Sequence, residues 1–289
     1  MVKYTGRLSL LDLVDAKRKV AFEADKLARE YVDTSSLYKC KYQKDNKKIY
    51  PVKNALNKIY KNKCAYCETQ INRTSTNIEH YRPKSLYYFL AYSWDNLLPI
   101  CNMCNSKKSN RFEIEDETKR IQHTTKSLEE LQYITKSYNQ IEKPKFIHPE
   151  IDDYQHLFRF NTKGEIIVYK TILDSHRMTY TIDNSDLNHH NLLKRRSKVL
   201  EDFIIIRNDL YYLFLLAKKY NDRDAFDEFK RSTTEKIKFF FNDENEFIAV
   251  RRFIIRRLRF YLLKYDDKFV KFFKGYLQRY IKTLEVYNT

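Results

Sequence analysis

A chain of 289 residues, 43% of them hydrophobic and 15% aromatic, can bury one large core or two modest ones without disulfide staples. Its 55 Lys and Arg against 38 Asp and Glu leave a formal charge of +17; that surplus suits a polyanionic partner, nucleic acid first, although a lysine-heavy composition alone would produce it too. No apolar run approaches the roughly 18 residues of a membrane span, and the opening "MVKYTGRLSLLDL" lacks a signal peptide's apolar stretch, so a cytoplasmic protein with no membrane partner is expected.

Three glycines and five prolines point to a chain dominated by helix. Residues 8 to 33 carry Leu11, Val14, Ala21, Ala24, Ala28 and Tyr31 at sums of threes and fours, the pattern of an amphipathic helix. A second helix is expected near 50–62. Between Cys64 and Cys104 the helical period breaks up, and "NIEHYRPK" (77–84) and "WDNLLPIC" (94–101) read as two strands around an aromatic loop. "CNSKKSN" opens a short helix. Residues 113–150 are polar, with a helical candidate in "QHTTKSLEELQYITKSY" before "EKPKFIHPE" interrupts regular structure.

The stretch 156–170 alternates on both sides of Lys163-Gly164, as a hairpin does. From Leu192 onward, Val199, Phe203, Ile206, Leu210, Leu213 and Ala217 step by threes and fours along one stripe, which predicts a helical bundle. Within it, residues 251–274 hold nine Lys or Arg against two Asp, with Arg252, Arg256 and Arg259 on about one helix face. Such a run is either a solvated face or a strip that meets phosphate or a partner.

Reduced cysteines are the rule in the cytosol, so Cys64-Ala-Tyr-Cys67 and Cys101-Asn-Met-Cys104 read as metal ligands, and Cys40 as a small apolar residue. Four thiolates so arranged satisfy a tetrahedral zinc ion completely, which makes the site structural. The 33 residues between the knuckles exceed the roughly 15–20 of an ordinary zinc ribbon. Something is therefore inserted between the clamps, and it contains Glu79-His80 and ends in "DNLLPIC".

The order CxxC, acid-His, Asn-Leu, CxxC-Asn-x-x-Lys resembles the four-cysteine subclass of HNH endonucleases. "CAYCE" (64–68), "IEHYRPK" (78–84), "WDNLLPICNMCNSKK" (94–108), "HPEIDDYQHLFRFNTKGEI" (148–166) and "TIDNSDLNHHNLLKRR" (181–196) narrow it further. Together they look like the HNH nuclease subunit of Septu-type antiphage defence systems, also found with some retrons, over roughly residues 50–200. The resemblance implies a ββα-metal core with zinc knuckles over 63–150; with the helices read from apolar spacing, an α+β, mainly α protein is expected, with an N-terminal helical region over 1–62 and a mainly helical region over 151–289 that opens with a hairpin, the helices beyond 200 having no counterpart in that family.

It also implies the chemistry of metal-dependent phosphodiester hydrolysis in DNA or RNA, and a partner that is an ABC/SMC-like ATPase. His80 is the expected general base, since its ordinary pKa near 6.5 suits deprotonation of water. Glu79 and Asn105 offer the hard oxygens that Mg²⁺ or Mn²⁺ prefers. Asn96 takes, by position, the family's loop-orienting asparagine. Arg82 and Lys108 are candidate phosphate contacts, each with a plain solvent-facing alternative. One geometric difficulty stands: neighbours on a regular strand point to opposite faces, so Glu79 and His80 share a site only if the strand ends there. His148, His156, His189 and His190 read as structural or surface residues, and Asp152-Asp153 as turn or cap residues. A non-catalytic zinc-ribbon nucleic-acid-binding or adaptor subunit would also explain the charge and the cysteines, but not the ordered Glu79-His80, Asn96 and Asn105.

Overall fold

The computed structural model of the chain describes residues 42–44, 47–49, 51–72 and 75–286. The helix expected over 8–33 and Cys40 lie outside them. Two compact units emerge: one holds the described residues up to Phe158 together with 168–188, the other holds 159–167 and the helices from His189 onward.

The first unit begins with a short antiparallel hairpin, β1 (Tyr42–Lys44) and β2 (Lys47–Ile49). Helix α1 (Pro51–Ile59) follows, started by a proline whose missing N–H costs nothing at the first helical position. It buries Val52 and Leu56 with Ala91, Tyr92, Trp94, Leu97 and Leu128 in one apolar cluster. The central hairpin pairs β3 (Asn77–His80) with β4 (Leu97–Ile100), in register His80 to Leu97 and Asn77 to Ile100. Every residue of β4 is buried, so both of its faces are covered. Helix α2 (Asn102–Lys108) runs straight out of β4, two residues earlier than its polar composition suggested, because Cys101 caps it.

The helical expectation for 122–138 is met in part. A single 3-10 turn at Glu130–Tyr133 leads into α3 (Thr135–Glu142), where the Asp95 carboxylate accepts from the Thr135 N–H and hydroxyl, both at 2.8 Å. Helix α4 (Ser175–Ser185) packs on α2 and closes this unit.

The hairpin expected over 156–170 is present as β5 (Phe158–Phe160) and β6 (Ile166–Val168), with Gly164 at φ +77° in its turn. The second unit is helical. Helix α5 (His190–Tyr220) places Val199, Phe203, Leu210, Phe214 and Ala217 on its buried stripe and ends at Asn221 in the left-handed conformation. Helix α6 (Arg223–Phe240) starts on the Asp222 side chain, which accepts from the Asp224 N–H at 2.9 Å. The basic run is three helices and not one: α7 (Ile248–Arg256), α8 (Leu258–Leu262) and α9 (Asp267–Val286). Its core is phenylalanine-rich, with Phe214, Phe229 and Phe269 in mutual ring contact at 5.6 to 6.2 Å. No helix among the described residues is long and apolar enough to cross a membrane.

Candidate active site

The two knuckles converge. The ligand sulfurs of Cys64, Cys67, Cys101 and Cys104 all lie within 4.8 Å of one another, the one such group of His, Cys, Asp and Glu among the described residues. Cys67 Sγ and Cys101 Sγ are 3.7 Å apart. That is far from the roughly 2.05 Å of a disulfide, and it matches the edge of about 3.8 Å that a tetrahedral ion with Zn–S bonds near 2.3 Å imposes. Local structure sets the ligands: the Cys64 carbonyl accepts from the Glu68 N–H across a turn in which Glu68 has φ +60°. Cys101 Sγ caps α2, accepting from the Cys104 N–H at 3.5 Å. Burial pushes the Cys64 thiol well up, while hydrogen bonds from Cys104 and the other knuckle thiols draw Cys101 down. Four thiolates enclosed this way need a cation to offset their lost hydration, and the donor set fits zinc.

His80 is the last residue of β3 and only 7% exposed. Its Nε2 lies 3.0 Å from the Ala91 carbonyl oxygen. A carbonyl can only accept, so the ring is held in the Nε2–H tautomer and its lone pair falls to Nδ1. Burial brings its pKa down to about 4, so the imidazole is neutral near pH 7. Ala91 sits in a loop that Asn96 holds: Asn96, fully buried, accepts from the Arg82 N–H at 2.7 Å and donates to the carbonyls of Arg82 and Leu90, both at 3.2 Å. One amide thus ties the end of β3 to the residue beside Ala91.

Glu79 faces the other way. Lys108 of α2, fully buried, donates from Nζ to Glu79 Oε1 at 2.5 Å and to the His80 carbonyl at 3.0 Å. Burial raises the Glu79 pKa, with the Lys108 ammonium opposing it. Asn105 stands three residues before Lys108 on α2, hence on about the same face, and is half-buried. Glu79 and His80 are both paired within β3, so Glu79 lies with Lys108 on the α2 side of the hairpin and the His80 ring on the loop side, and the strand does not bring the two to one face. The Glu79 carboxylate is a hard oxygen donor of the kind a divalent ion prefers, but here its Oε1 accepts from the Lys108 ammonium.

Arg82 and Lys108, expected as phosphate contacts, are both buried members of ion pairs. Arg82 Nε donates to Glu142 Oε2 at 2.8 Å, with both side chains wholly enclosed, and Nη2 donates to Asn139 Oδ1 at 2.8 Å. The rings of Tyr81, Tyr87, Phe112 and Tyr138 surround the guanidinium at 5.3 to 5.8 Å. Glu142 also accepts from the Tyr87 hydroxyl and the Ile121 N–H, each at 2.9 Å. His148 is structural, as read: Nε2 donates to the Asp95 carbonyl at 3.0 Å and Nδ1 accepts from the Glu150 N–H at 3.2 Å. Asp152 caps its turn, accepting from the His148 N–H at 2.7 Å, and pairs with Arg177 at 2.8 Å. The spacing of the motifs contained no signal for the Ala91 carbonyl or for Glu142, which lies 60 residues beyond Arg82.

A two-stranded hairpin with a helix laid against it, with a four-cysteine cluster fit for zinc beside it and an acid-histidine pair where the first strand ends, defines the ββα-metal core of the HNH class. The family model for HNH endonuclease matches residues 64–111. The chain is 30% identical over 264 residues to the Septu protein PtuB of Bacillus mycoides, covering 79% of this chain and 84% of that protein. Over 59 residues it is 44% identical to the Septu protein PtuB of Bacillus thuringiensis, 20% of this chain and 23% of the relative. It is also 27% identical over 176 residues to the Septu protein PtuA of Bacillus mycoides, 56% of this chain and 22% of that protein. This chain belongs to the Septu PtuB family.

Proposed function

We propose that the protein is the metal-dependent HNH endonuclease of a Septu-type antiphage complex, hydrolysing phosphodiester bonds of DNA or RNA beside an ABC/SMC-like ATPase subunit, in the cytoplasm. The observation that carries the reading is the His80 ring, fixed by the Ala91 carbonyl so that Nδ1 bears the lone pair, inside a core of HNH type. His80 takes a proton from water at Nδ1 as the water oxygen bonds to phosphorus and the bond to the leaving ribose oxygen breaks. Asn96 keeps the Ala91 loop, and through it the ring, in place. Glu79 and Asn105 would hold a Mg²⁺ or Mn²⁺ ion, with Glu79 exchanging its contact with the Lys108 ammonium for it, and that ion would neutralise charge on the scissile phosphate and the leaving oxygen. Cys64, Cys67, Cys101 and Cys104 would hold a zinc ion that clamps the hairpin. Affinity for nucleic acid comes from Lys and Arg spread over a chain of net charge +17, not from Arg82 or Lys108, which are enclosed.

The test is cleavage of DNA and RNA panels with and without the ATPase subunit and with and without added Mg²⁺. His80→Ala should lower the rate about 10²–10⁴-fold while zinc content and affinity stay near wild type. Glu79→Ala and Asn105→Ala should also cripple cleavage but recover in part at higher Mg²⁺. A chain that cuts equally well without His80 has another mechanism, and one that never cuts but binds normally is the zinc-ribbon module instead.

A further inference from the structure

In the helical unit, α5 and the segment around α8 enclose a cavity of about 540 Å³. Its mouth is apolar and open to solvent: Tyr212 is 63% exposed, Leu215 40%, Phe260 70% and Leu263 66%. Large apolar side chains this exposed and this close together are uncommon on a surface with no partner. The walls are set in advance, because Arg207 of α5 donates from Nη1 to the Tyr261 carbonyl at 2.8 Å and lies over the Tyr265 ring at 4.9 Å. A groove already held open loses little entropy when filled.

The charge around it is one-sided. None of the ten described residues lining the cavity is acidic, and Arg207 and Lys264 are cationic. The segment 251–264, which supplies one wall, has six Lys or Arg and no Asp or Glu. From Arg207 to Leu215 the wall spans two helical turns, roughly 12 Å. That is room for a short helix that inserts two or three apolar side chains.

We infer that this groove docks an apolar, acid-flanked helical segment of the ATPase subunit, an inference that rests on the partner proposed above. Two features favour a protein segment over single-stranded nucleic acid. Of the five lining aromatics, Tyr211 and Tyr265 are packed edge to face at 4.6 Å with Arg207 over Tyr265, and the exposed Tyr212 and Phe260 are interrupted by Leu215 and Leu263, which fit aliphatic anchors better than a run of stacked bases. The lining cations are few, and Arg207 is committed to α8, so no track of phosphate contacts runs along the floor.

The experiment uses the full chain co-expressed with the tagged PtuA-type ATPase subunit. Phe260→Asp with Leu263→Asp should reduce the chain recovered with the subunit about 10-fold or more. Lys264→Glu should weaken recovery most at low salt. Phe239→Asp, at an equally exposed phenylalanine on α6 (76% exposed), should leave recovery unchanged. Both sites lie at the surface, so far-UV circular dichroism and zinc content should match wild type in every variant. A double variant recovered as fully as wild type overturns the docking surface alone. A wild-type chain that takes up no subunit overturns the partner reading together with this occupant. Loss of fluorescent oligo(dT) binding, or of a wild-type dimer seen by sedimentation, in place of loss of subunit would assign the groove to nucleic acid or to a second copy and overturn the proposal.

Discussion

At the residue scale, the clearest departure from surface logic is Arg82. Two residues past His80 on a short strand it looks like a phosphate ligand, yet it sits in an aromatic cage against Glu142 with both charges enclosed. Removing one partner of such a pair strands the other charge out of water, which typically costs 3–5 kcal/mol. Arg82→Met should therefore lower unfolding stability by about 4 kcal/mol, and Arg82→Met with Glu142→Gln should recover a good part of that, as read from urea denaturation at neutral pH. If Arg82 instead contacted nucleic acid, the single variant would lose affinity with stability unchanged. The same measurement separates Asn96: Asn96→Ala deletes three buried hydrogen bonds and should cost roughly 2–3 kcal/mol while also loosening the loop that holds His80.

At the element scale, two glycines in the helical unit make opposite demands. Gly164 turns the β5–β6 hairpin at φ +77°, and a Cβ there would lie 2.5 Å from the Leu193 carbonyl oxygen of α5. Gly164→Ala combines left-handed strain with a backbone clash and should destabilise by about 2 kcal/mol or more. Gly275 lies inside α9 with nothing within 4 Å of an added Cβ. Gly275→Ala should stabilise by roughly 0.5–1 kcal/mol, because alanine gives up less backbone entropy in a helix. Thermal melts of the two variants in parallel check both signs. The break between α8 and α9 has its own local cause, since Asp266 accepts from the Lys268 N–H at 2.9 Å and caps α9.

At the scale of the whole molecule, two compact units with separate apolar cores share one chain, and only one of them carries the cysteine cluster. Trp94, the single tryptophan, is 1% exposed in the cysteine-bearing unit. Stripping zinc with a strong chelator should shift Trp94 emission to the red as the clamp and the hairpin open, while most far-UV helical signal from α5 to α9 persists. Simultaneous complete loss of both signals would mean that the units fold as one. Serine at any one of Cys64, Cys67, Cys101 or Cys104 should reproduce the Trp94 shift without chelator, with elemental analysis showing less than one zinc per chain.

What the sequence alone determined is what short spacing encodes. Cysteine pairs three apart, Glu79 beside His80, Asn96 ahead of the second strand and Asn105 with Lys108 on the following helix all place their side chains through local geometry, so their order was enough to reveal the ββα-metal core. The buried stripe of α5 was legible for the same reason, since a 3.6-residue period needs no distant partner. Only the tertiary structure decided which way those side chains are used. Arg82 meets Glu142 across 60 residues, the Ala91 carbonyl selects the His80 tautomer across 11, and Lys108 reaches Glu79 across 29. Burial and pairing at such separations depend on how the chain closes on itself, and a linear pattern of charges carries no record of that closure.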